Sequence, residues 1–338
     1  MGEHVPYRIH FTIDDLARTR IAARANPMLE LSTAVRQLQC TEHAVRLRTW
    51  RREAADALNP RARMVLDLIP AQGWVPGFLA PAGTGTPEEL LEQVLATPRA
   101  RIRAELEGLA AHRRLPNWLR HLPHDPEVRR QFGAALYHTY DSLLRPYWPR
   151  ITALTAADSA LRAQQLLSGG MEDVLPRLNP RRVRWKSPVL EVAMASGLDG
   201  DLYLQGRGLL LVPSVFGVDG PVIDPDAEPQ PFLTYPVGAD RSPVRLLHDV
   251  LFGCPPTASR SLAAVLGPTR ATVLMAVANR PGCSTTELAA TVGIAAASAS
   301  EHAAALRGAG LLHTVRLGKM VAHNATAAAH ALLEASGA

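Results

Sequence analysis

Residues 284–323 read STTELAATVGIAAASASEHAAALRGAGLLHTVRLGKMVAH, and the order of signals in this stretch predicts the fold of the C-terminal region. Ser284 and Glu287 form a capping box, which predicts the start of a short helix. Gly293 predicts the end of that helix, and an alanine-rich second helix follows after a three-residue turn. Two short helices joined by a glycine-containing turn are typical of a helix-turn-helix.

A basic hairpin is predicted directly after the second helix. Residues 311–316 (LLHTVR) are β-prone, Leu317-Gly318 predicts a tight turn, and residues 319–323 (KMVAH) predict the return strand. Glycine readily takes the positive φ that such a turn requires. A two-stranded wing with Arg316 and Lys319 at its tip would lie beside a phosphate backbone while the preceding helix enters the major groove.

The flanking sequence completes this C-terminal domain. Pro268 predicts the start of a further helix, whose apolar face carries Val273, Leu274 and Val277. Residues 243–253 (PVRLLHDVLFG) predict a lead-in helix. Residues 241–338 are therefore expected to form a winged helix-turn-helix domain.

The first 185 residues are predicted to be mostly helical, because several segments begin with helix start signals. These signals are Thr12 with Asp15, Pro27, Thr86-Pro87 and Asp125-Pro126. A further helical stretch over residues 151–168 is expected to end at Gly169-Gly170. Residues 186–237 change to short β-prone runs separated by Gly, Asp and Pro, which predict a small antiparallel sheet packed on the helices.

These patterns predict a fold that is mainly α with small antiparallel β elements. Residues 1–240 are expected to form a sensor or dimerisation domain, helical over 1–185 and β over 186–237. Residues 258–338 carry six basic residues against three acidic ones, although the net charge of the 338-residue chain is only +5. This asymmetry favours a polyanionic partner at the C-terminal end.

The composition is that of a globular protein, with 47% hydrophobic and 20% charged residues. No apolar run reaches the roughly 18 residues of a membrane span, and the acidic N-terminal segment lacks the basic start and apolar core of a signal peptide. Cys40, Cys254 and Cys283 are widely spaced and form no CxxC pair. We therefore expect a cytoplasmic protein. The preference for Arg over Lys, with abundant Ala and Pro, suggests a bacterial genome of high GC content.

The chain lacks the short motifs that would predict an enzyme. Gly206-Arg207-Gly208 precedes a β-prone run, whereas a dinucleotide-binding loop follows a strand. Neither a Gly-x-Ser-x-Gly elbow nor a His-Glu-x-x-His helix is present. Cys40-x-x-His43 and His121-x-x-His124 have the spacing of metal ligands, but neither pair has an obvious third ligand. We therefore expect no catalytic residues, no cofactor and no metal.

The C-terminal motifs resemble those of the arsenical-repressor (ArsR-type) winged-helix regulators. In that family a Ser-x-His pair precedes a Leu-x-x-Ala-Gly-Leu exit, a pattern that Ser300-Glu301-His302 and residues 306–311 (LRGAGL) match. The segments FTIDDLARTRIA, RGLLLVPSVF and LTYP also resemble the large domain attached to such winged helices in actinobacterial regulators. The resemblance implies a DNA-binding transcriptional regulator and favours a homodimer. The cysteine-bearing metal site of the family has no counterpart in STTELAATV, so metal sensing by that route is not implied.

Double-stranded DNA is therefore the expected partner. Alanines of the recognition helix can pack against thymine methyl groups, and serine can hydrogen-bond several bases. Threonines at a helix N-terminus can bind a phosphate. The predicted DNA-binding residues are Thr285, Thr286, Ala296, Ala297, Ser298, Ser300, His302, Arg316 and Lys319.

Other interpretations of the same residues stay open. Helix propensity explains the alanines, capping explains the threonines, and Ser300 and His302 could be structural. At the level of function, the winged helix could instead serve protein assembly, or an N-terminal enzyme could be fused to its own regulator domain. In the regulator hypothesis, two copies would place their recognition helices about one DNA turn apart, and the N-terminal domain would serve either the sensing of a small-molecule effector or dimerisation.

Overall fold

A computed structural model gives the structure of the protein and describes residues 6–40, 44–81, 85–194, 198–218, 220–238, 257–317 and 320–335. Contacts within the chain define two units, one of residues 1–39 and 54–240 and the other of residues 40–53 and 241–338. The second unit thus includes residues 40–53, which the sequence had assigned to the N-terminal domain. The predicted lead-in helix over residues 243–253 lies outside the described residues.

Helices make up most of the N-terminal region. They are α1 (Ile13–Arg18), α2 (Pro27–Gln39), α3 (Ala44–Ala57), α4 (Arg63–Leu68), α5 (Pro87–Leu95), α6 (Arg99–Ala110), α7 (Pro126–Leu143) and α8 (Trp148–Val174). Short 3₁₀ turns lie at Pro60–Ala62, Gly77–Leu79, Asn117–Arg120, Arg145–Tyr147 and Leu175–Arg177. In the part of the chain that the structure describes, no helix combines the length and the apolar character needed to cross a membrane.

The predicted helix start signals are confirmed as caps. The Thr12 hydroxyl accepts a hydrogen bond from Asp15 N (3.1 Å), and Asp15 Oδ2 accepts one from Thr12 N (2.9 Å). Thr86 and Glu89 form the same reciprocal pair, and Asp125 caps α7 through the N–H groups of Glu127 and Val128. Each pair satisfies N–H groups that have no partner within the helix.

The predicted helix end at Gly169-Gly170 is instead a kink within α8. Gly170 has φ +72° and ψ −174°, which is not helical geometry, and the helix resumes beyond it as far as Val174. Glycine takes a positive φ without the Cβ clash that other residues meet. The glycine pair therefore predicted the position of the interruption correctly, but one further helical turn follows it.

Two four-stranded sheets complete the first unit. The strands are β1 (Tyr7–His10), β2 (Arg20–Ile21), β3 (Val183–Lys186), β4 (Val189–Val192), β5 (Gly200–Tyr203), β6 (Leu210–Ser214), β7 (Ile223–Asp224) and β8 (Phe232–Pro236). One sheet has the order β3-β4-β1-β5 and the other β2-β6-β8-β7. In the first, Tyr7 pairs with Val192 of antiparallel β4 and with Gly200 of parallel β5.

The prediction of one small antiparallel sheet over residues 186–237 was therefore wrong in two respects. Both sheets mix parallel and antiparallel pairs: β1 is antiparallel to β4 and parallel to β5, and β8 is parallel to β6 and antiparallel to β7. Each sheet also contains a strand from the segment predicted as helical, namely β1 or β2. Strands of two to four residues are too short to show the alternation by which a strand is recognised in sequence.

The second unit contains the helices α9 (Thr257–Leu266), α10 (Pro268–Asn279), α11 (Thr285–Val292), α12 (Ala296–Gly308) and α13 (Ala327–Ala335). Its three-stranded sheet has the order β10-β11-β9, with β9 at Cys283–Ser284, β10 at Leu312–Leu317 and β11 at Met320–Ala325. The predicted class, mainly α with small sheets and a C-terminal winged helix-turn-helix, is confirmed.

Candidate nucleic-acid interface

The five described helices of the second unit, α9 to α13, pack around one apolar core. Burying each large apolar side chain in it is worth about 1.5–3 kcal/mol, which fixes the helices relative to one another. The core includes Leu274 and Val277 of α10, Leu288 of α11, and Ala303 and Leu306 of α12.

The turn between α11 and α12 has the predicted geometry. Ser284 N donates to Glu287 Oε2 (2.8 Å) and Glu287 N donates to Ser284 Oγ (3.2 Å), which confirms the capping box. Gly293 lies in the left-handed region at φ +75°, where a Cβ would be strained, and the N–H groups of Gly293 and Ile294 both donate to Ala289 O. This turn sets the direction in which α12 leaves α11.

Helix α12 buries one side and exposes the other. Ala299, Ala303 and Leu306 are buried in the core. Ala297, Ser300, Glu301 and Ala304 are exposed and, at spacings of three and four residues, share one face, which we call the exposed α12 face. Ala296 is also exposed, whereas Ser298 and His302 are half-buried. Ser300 and Ala297 therefore lie together on the exposed α12 face, whereas the half-buried Ser298 and His302 lie towards its edges.

The two candidate threonines at the start of α11 have different surroundings. The Thr285 hydroxyl lies 2.9 Å from His323 Nε2 and is half-buried, so this group already has a partner within the domain. Thr286 is exposed, and within the described residues its hydroxyl makes no hydrogen bond. Of the two threonines, Thr286 is therefore the better candidate for a phosphate contact.

The wing differs from the predicted hairpin in its strands. Strand β10 continues through Leu317, which pairs with Met320, so the connection consists of Gly318 and Lys319 alone. The sheet also has a third strand, because Cys283 and Ser284 pair with His323 and Ala322 of β11. Gly318, Lys319 and the side chain of Arg316 lie outside the described residues. The third strand joins the wing to the start of α11.

His323 connects the wing to both helices of the helix-turn-helix. Its buried ring lies between the hydroxyls of Thr285 (2.9 Å to Nε2) and Thr314 (3.3 Å to Nδ1), and Arg307 Nη1 of α12 donates to the same Thr314 hydroxyl (3.3 Å). Burial lowers the pKa of His323 below its ordinary value of 6.5, and the charge of Arg307 lowers it further. The ring is therefore neutral in the folded domain at pH 7.

The lowered pKa of His323 predicts acid sensitivity of the second unit. As pH falls below about 6.5, the unfolded chain binds a proton at this histidine more readily than the folded domain does, so stability falls. We expect His323→Gln to weaken this dependence between pH 7.5 and pH 5 in thermal unfolding of the full chain. His313→Gln, at an exposed histidine on β10, is the matched control. An unchanged dependence in His323→Gln would assign the acid sensitivity to other groups.

The structure adds two residues that were not among the predicted contacts. Glu301 lies on the exposed α12 face beside Ser300, and its carboxylate has no partner within the described residues. Arg307 is exposed on the last turn of α12 and contacts the wing strand through Thr314. The sequence signal for Glu301 was its four-residue spacing from Ala297, which places both residues on one face of the helix. No local sequence signal indicated the contact of Arg307 with the wing.

Metal-ligating side chains do not cluster in the part of the chain that is described: no group of three or more His, Cys, Asp or Glu could hold a metal ion there. Of the two spaced pairs, His43 lies outside the described residues, and His121 and His124 are both exposed. Burial raises the pKa of the Cys283 thiol to about 11, which disfavours the thiolate that a soft metal requires.

The helices and the sheet together define a winged helix-turn-helix, a class of DNA-binding domain. Residues 267–314 match the family described as "Bacterial regulatory protein, arsR family", a segment that spans α10, α11, α12 and the start of β10. Comparison with curated proteins and with solved structures gave no match. The chain thus carries an ArsR-family helix-turn-helix domain, which implies DNA-binding transcriptional regulation, beside a large N-terminal region of unknown family.

Proposed function

We propose that the protein is a homodimeric regulator that recognises a two-fold symmetric sequence in double-stranded DNA through α12 and the wing. The N-terminal region, residues 1–240 as predicted, would provide dimerisation and sensing of a small molecule. The observation that carries the proposal is the exposed α12 face, which combines small side chains with two polar groups at the surface of an otherwise packed helix.

The chemistry of this face fits a major groove. Ala297 and Ala304 let the backbone approach base edges closely and can contact thymine methyl groups. The Ser300 hydroxyl can donate or accept, and the Glu301 carboxylate can accept from cytosine N4. Thr286 at the start of α11 would bind a phosphate at the edge of the groove. His302 and Ser298 would contact the DNA only from the margins of the face.

We infer a dimer because one recognition helix offers few side chains that can contact bases. One helix with two polar side chains distinguishes few base pairs, and each well-made base contact contributes only about 1–3 kcal/mol of discrimination. Two copies related by a two-fold axis would read two half-sites about 34 Å apart, which doubles the number of base pairs recognised. The site should therefore be an inverted repeat.

Salt dependence of binding tests the proposal. We expect the full chain to enrich an inverted repeat from a random-sequence duplex library, with an affinity that falls steeply as salt rises. Arg316→Ala with Lys319→Ala should reduce the slope of log affinity against log salt by about 1.8 per protomer, because each phosphate neutralised contributes about 0.9. Fluorescence anisotropy across a salt series measures this slope.

The control for this experiment removes two charges elsewhere. Arg61→Ala with Arg103→Ala changes exposed arginines of the first unit and should leave the slope as it was. An unaltered slope in the Arg316/Lys319 variant would mean that the wing does not contact the DNA phosphates. If no duplex is enriched and the chain instead captures a protein partner, the domain serves assembly and the proposal fails.

A further inference from the structure

We propose that His323 is a positioning residue for DNA recognition, which holds the wing against α11 and α12 through one hydrogen-bonded junction. The junction consists of Arg307 on α12, Thr314 on β10, His323 on β11 and Thr285 at the start of α11. The inference rests on the proposed function and deepens it, because it names the side chains that fix the wing for its contacts with phosphates.

Each member of the junction belongs to a different segment of the second unit. Arg307 Nη1 donates to the Thr314 hydroxyl (3.3 Å), whose oxygen lies 3.3 Å from His323 Nδ1. The opposite ring nitrogen, Nε2, lies 2.9 Å from the Thr285 hydroxyl. The imidazole is 3% exposed, so water does not replace these partners. A buried ring nitrogen left without a partner would cost about 1–3 kcal/mol.

The charge of Arg307 determines the direction of the hydrogen bonds. A neutral imidazole donates from one nitrogen and accepts at the other. Arginine can only donate, so its N–H occupies a lone pair of the Thr314 oxygen and strengthens that hydroxyl as a donor. Thr314 then donates to Nδ1 of His323, and the ring proton lies on Nε2, which donates to Thr285. The other tautomer would direct Nδ1–H at an oxygen that already accepts from a cation, which is less favourable.

The wing needs such a junction because a two-stranded hairpin is only marginally stable by itself. Strand β10 lies at one edge of the three-stranded sheet. Leu312 is buried in the core, whereas Val315 is 44% exposed. Among the described side chains of β10, that of Thr314 is the one that hydrogen-bonds to a helix. Arg316 follows two residues later along the same strand, so the junction is the last helix contact before the cations of the wing.

The ring tautomer of His323 tests the junction without DNA. Nitrogen-15 NMR of the full chain, labelled at histidine, distinguishes a protonated ring nitrogen from an unprotonated one, and His323→Gln identifies the resonances. We expect Nε2 to be protonated and Nδ1 unprotonated at pH 7.5. A ring that is protonated at Nδ1, or that exchanges between the two forms, would overturn the proposal. This measurement uses the unmodified chain, so it holds even if a variant fails to fold.

The salt dependence of DNA binding tests the positioning role. Thr314→Val removes the hydroxyl but no charge, so it separates the position of the wing from its electrostatics. On the duplex enriched from the library, we expect about tenfold weaker binding and a salt slope lower by at least about 0.9 per protomer, the contribution of one phosphate. Thr314→Ser retains the hydroxyl and should restore both values. Thr272→Val, at a hydroxyl that donates to Pro268 O of its own helix (2.9 Å), is the control and should change neither.

Combining the substitutions shows whether Thr314 acts through the wing. In a chain that already carries Arg316→Ala and Lys319→Ala, Thr314→Val should lower the slope no further, because the contacts that it positions have been removed. Thermal unfolding confirms that each variant is folded at the temperature of titration. An unchanged slope in Thr314→Val alone, or an equal further loss in the combined variant, would overturn this inference and leave the regulator standing. If the library yields no duplex, the proposed function fails and this inference fails with it.

Discussion

Ala297→Glu is expected to reduce the affinity of the full chain for its selected duplex at least about a hundredfold, with little change in stability. Ala297 is exposed on α12, so the new side chain meets solvent in the free protein. In the complex the same carboxylate would lie among base edges and phosphates, where like-charge placement costs several kcal/mol. A hundredfold loss corresponds to about 2.7 kcal/mol. Ala304→Glu, about two turns further along the same face, should behave alike.

The control for this prediction is Ala328→Glu on α13. Ala328 is also an exposed alanine of a helix in the second unit, but it lies outside the helix-turn-helix. Both variants carry the same change in net charge, so non-specific repulsion from DNA is matched between them. Anisotropy titrations and thermal unfolding of both variants separate binding from folding. Equal losses of affinity in the two variants would mean that the exposed α12 face is not the recognition surface.

The helix-turn-helix could be predicted from the sequence because its determinants are local. Ser284 and Glu287 are three residues apart, and Gly293 acts through its own backbone conformation. Signals of this kind act within a single segment, so the sequence of that segment is enough to predict its local conformation. The start of α11 at Thr285 and its end before Gly293 followed from these signals.

The sheets could not be predicted in the same way because their partners are distant in sequence. Strand β1 pairs with β4 and β5 across 179 to 193 residues, and β9 has only two residues. Neither strand is stable alone, and each exists because another segment offers unpaired backbone groups. The third strand of the wing therefore appears only when Cys283 and His323 are seen together.

The candidate contacts show the same division. The outward position of Ala297 and Ser300 follows from helical periodicity, and so does that of Glu301. By contrast, Thr285 meets His323 from 38 residues away, and no spacing rule predicts that its hydroxyl already has a partner. Sequence reasoning thus identified the surface of α12 but could not tell which of its polar neighbours were already paired within the domain.

Glu30 is expected to make the first unit less stable as pH rises from about 4.5 to 7. This residue of α2 is 1% exposed. Its carboxylate accepts hydrogen bonds from Val215 N (2.6 Å), Phe216 N (3.2 Å) and Ser214 Oγ (3.3 Å) at the end of β6. Burial raises the pKa of Glu30 from 4.5 to about 7, against the opposing effect of these donors.

The sign of this dependence follows from proton binding. Between pH 4.5 and 7 the folded unit retains a proton on Glu30 that the unfolded chain has released, so stability decreases with pH across this range and is level above it. The pKa difference corresponds to roughly 3 kcal/mol. Glu30→Gln removes the titration and should flatten the curve. Glu30→Ala leaves the donors at Val215 and Phe216 unpaired, and should cost about 2–4 kcal/mol even at pH 5.

Unfolding free energies from urea titrations at pH 5, 6, 7 and 8 measure this dependence, with the exposed Glu107→Gln of α6 as the control for loss of one charge. Parallel curves for the unmodified chain and Glu30→Gln would show that this carboxylate does not control the pH dependence of stability.

His323 predicts the opposite pH dependence for the second unit, because that histidine lowers the stability of its unit as pH falls. If the two units unfold separately, as two-unit chains commonly do, acid should destabilise the unit that contains α12 while it stabilises the unit that contains Glu30. Each substitution should then change only one of the two transitions.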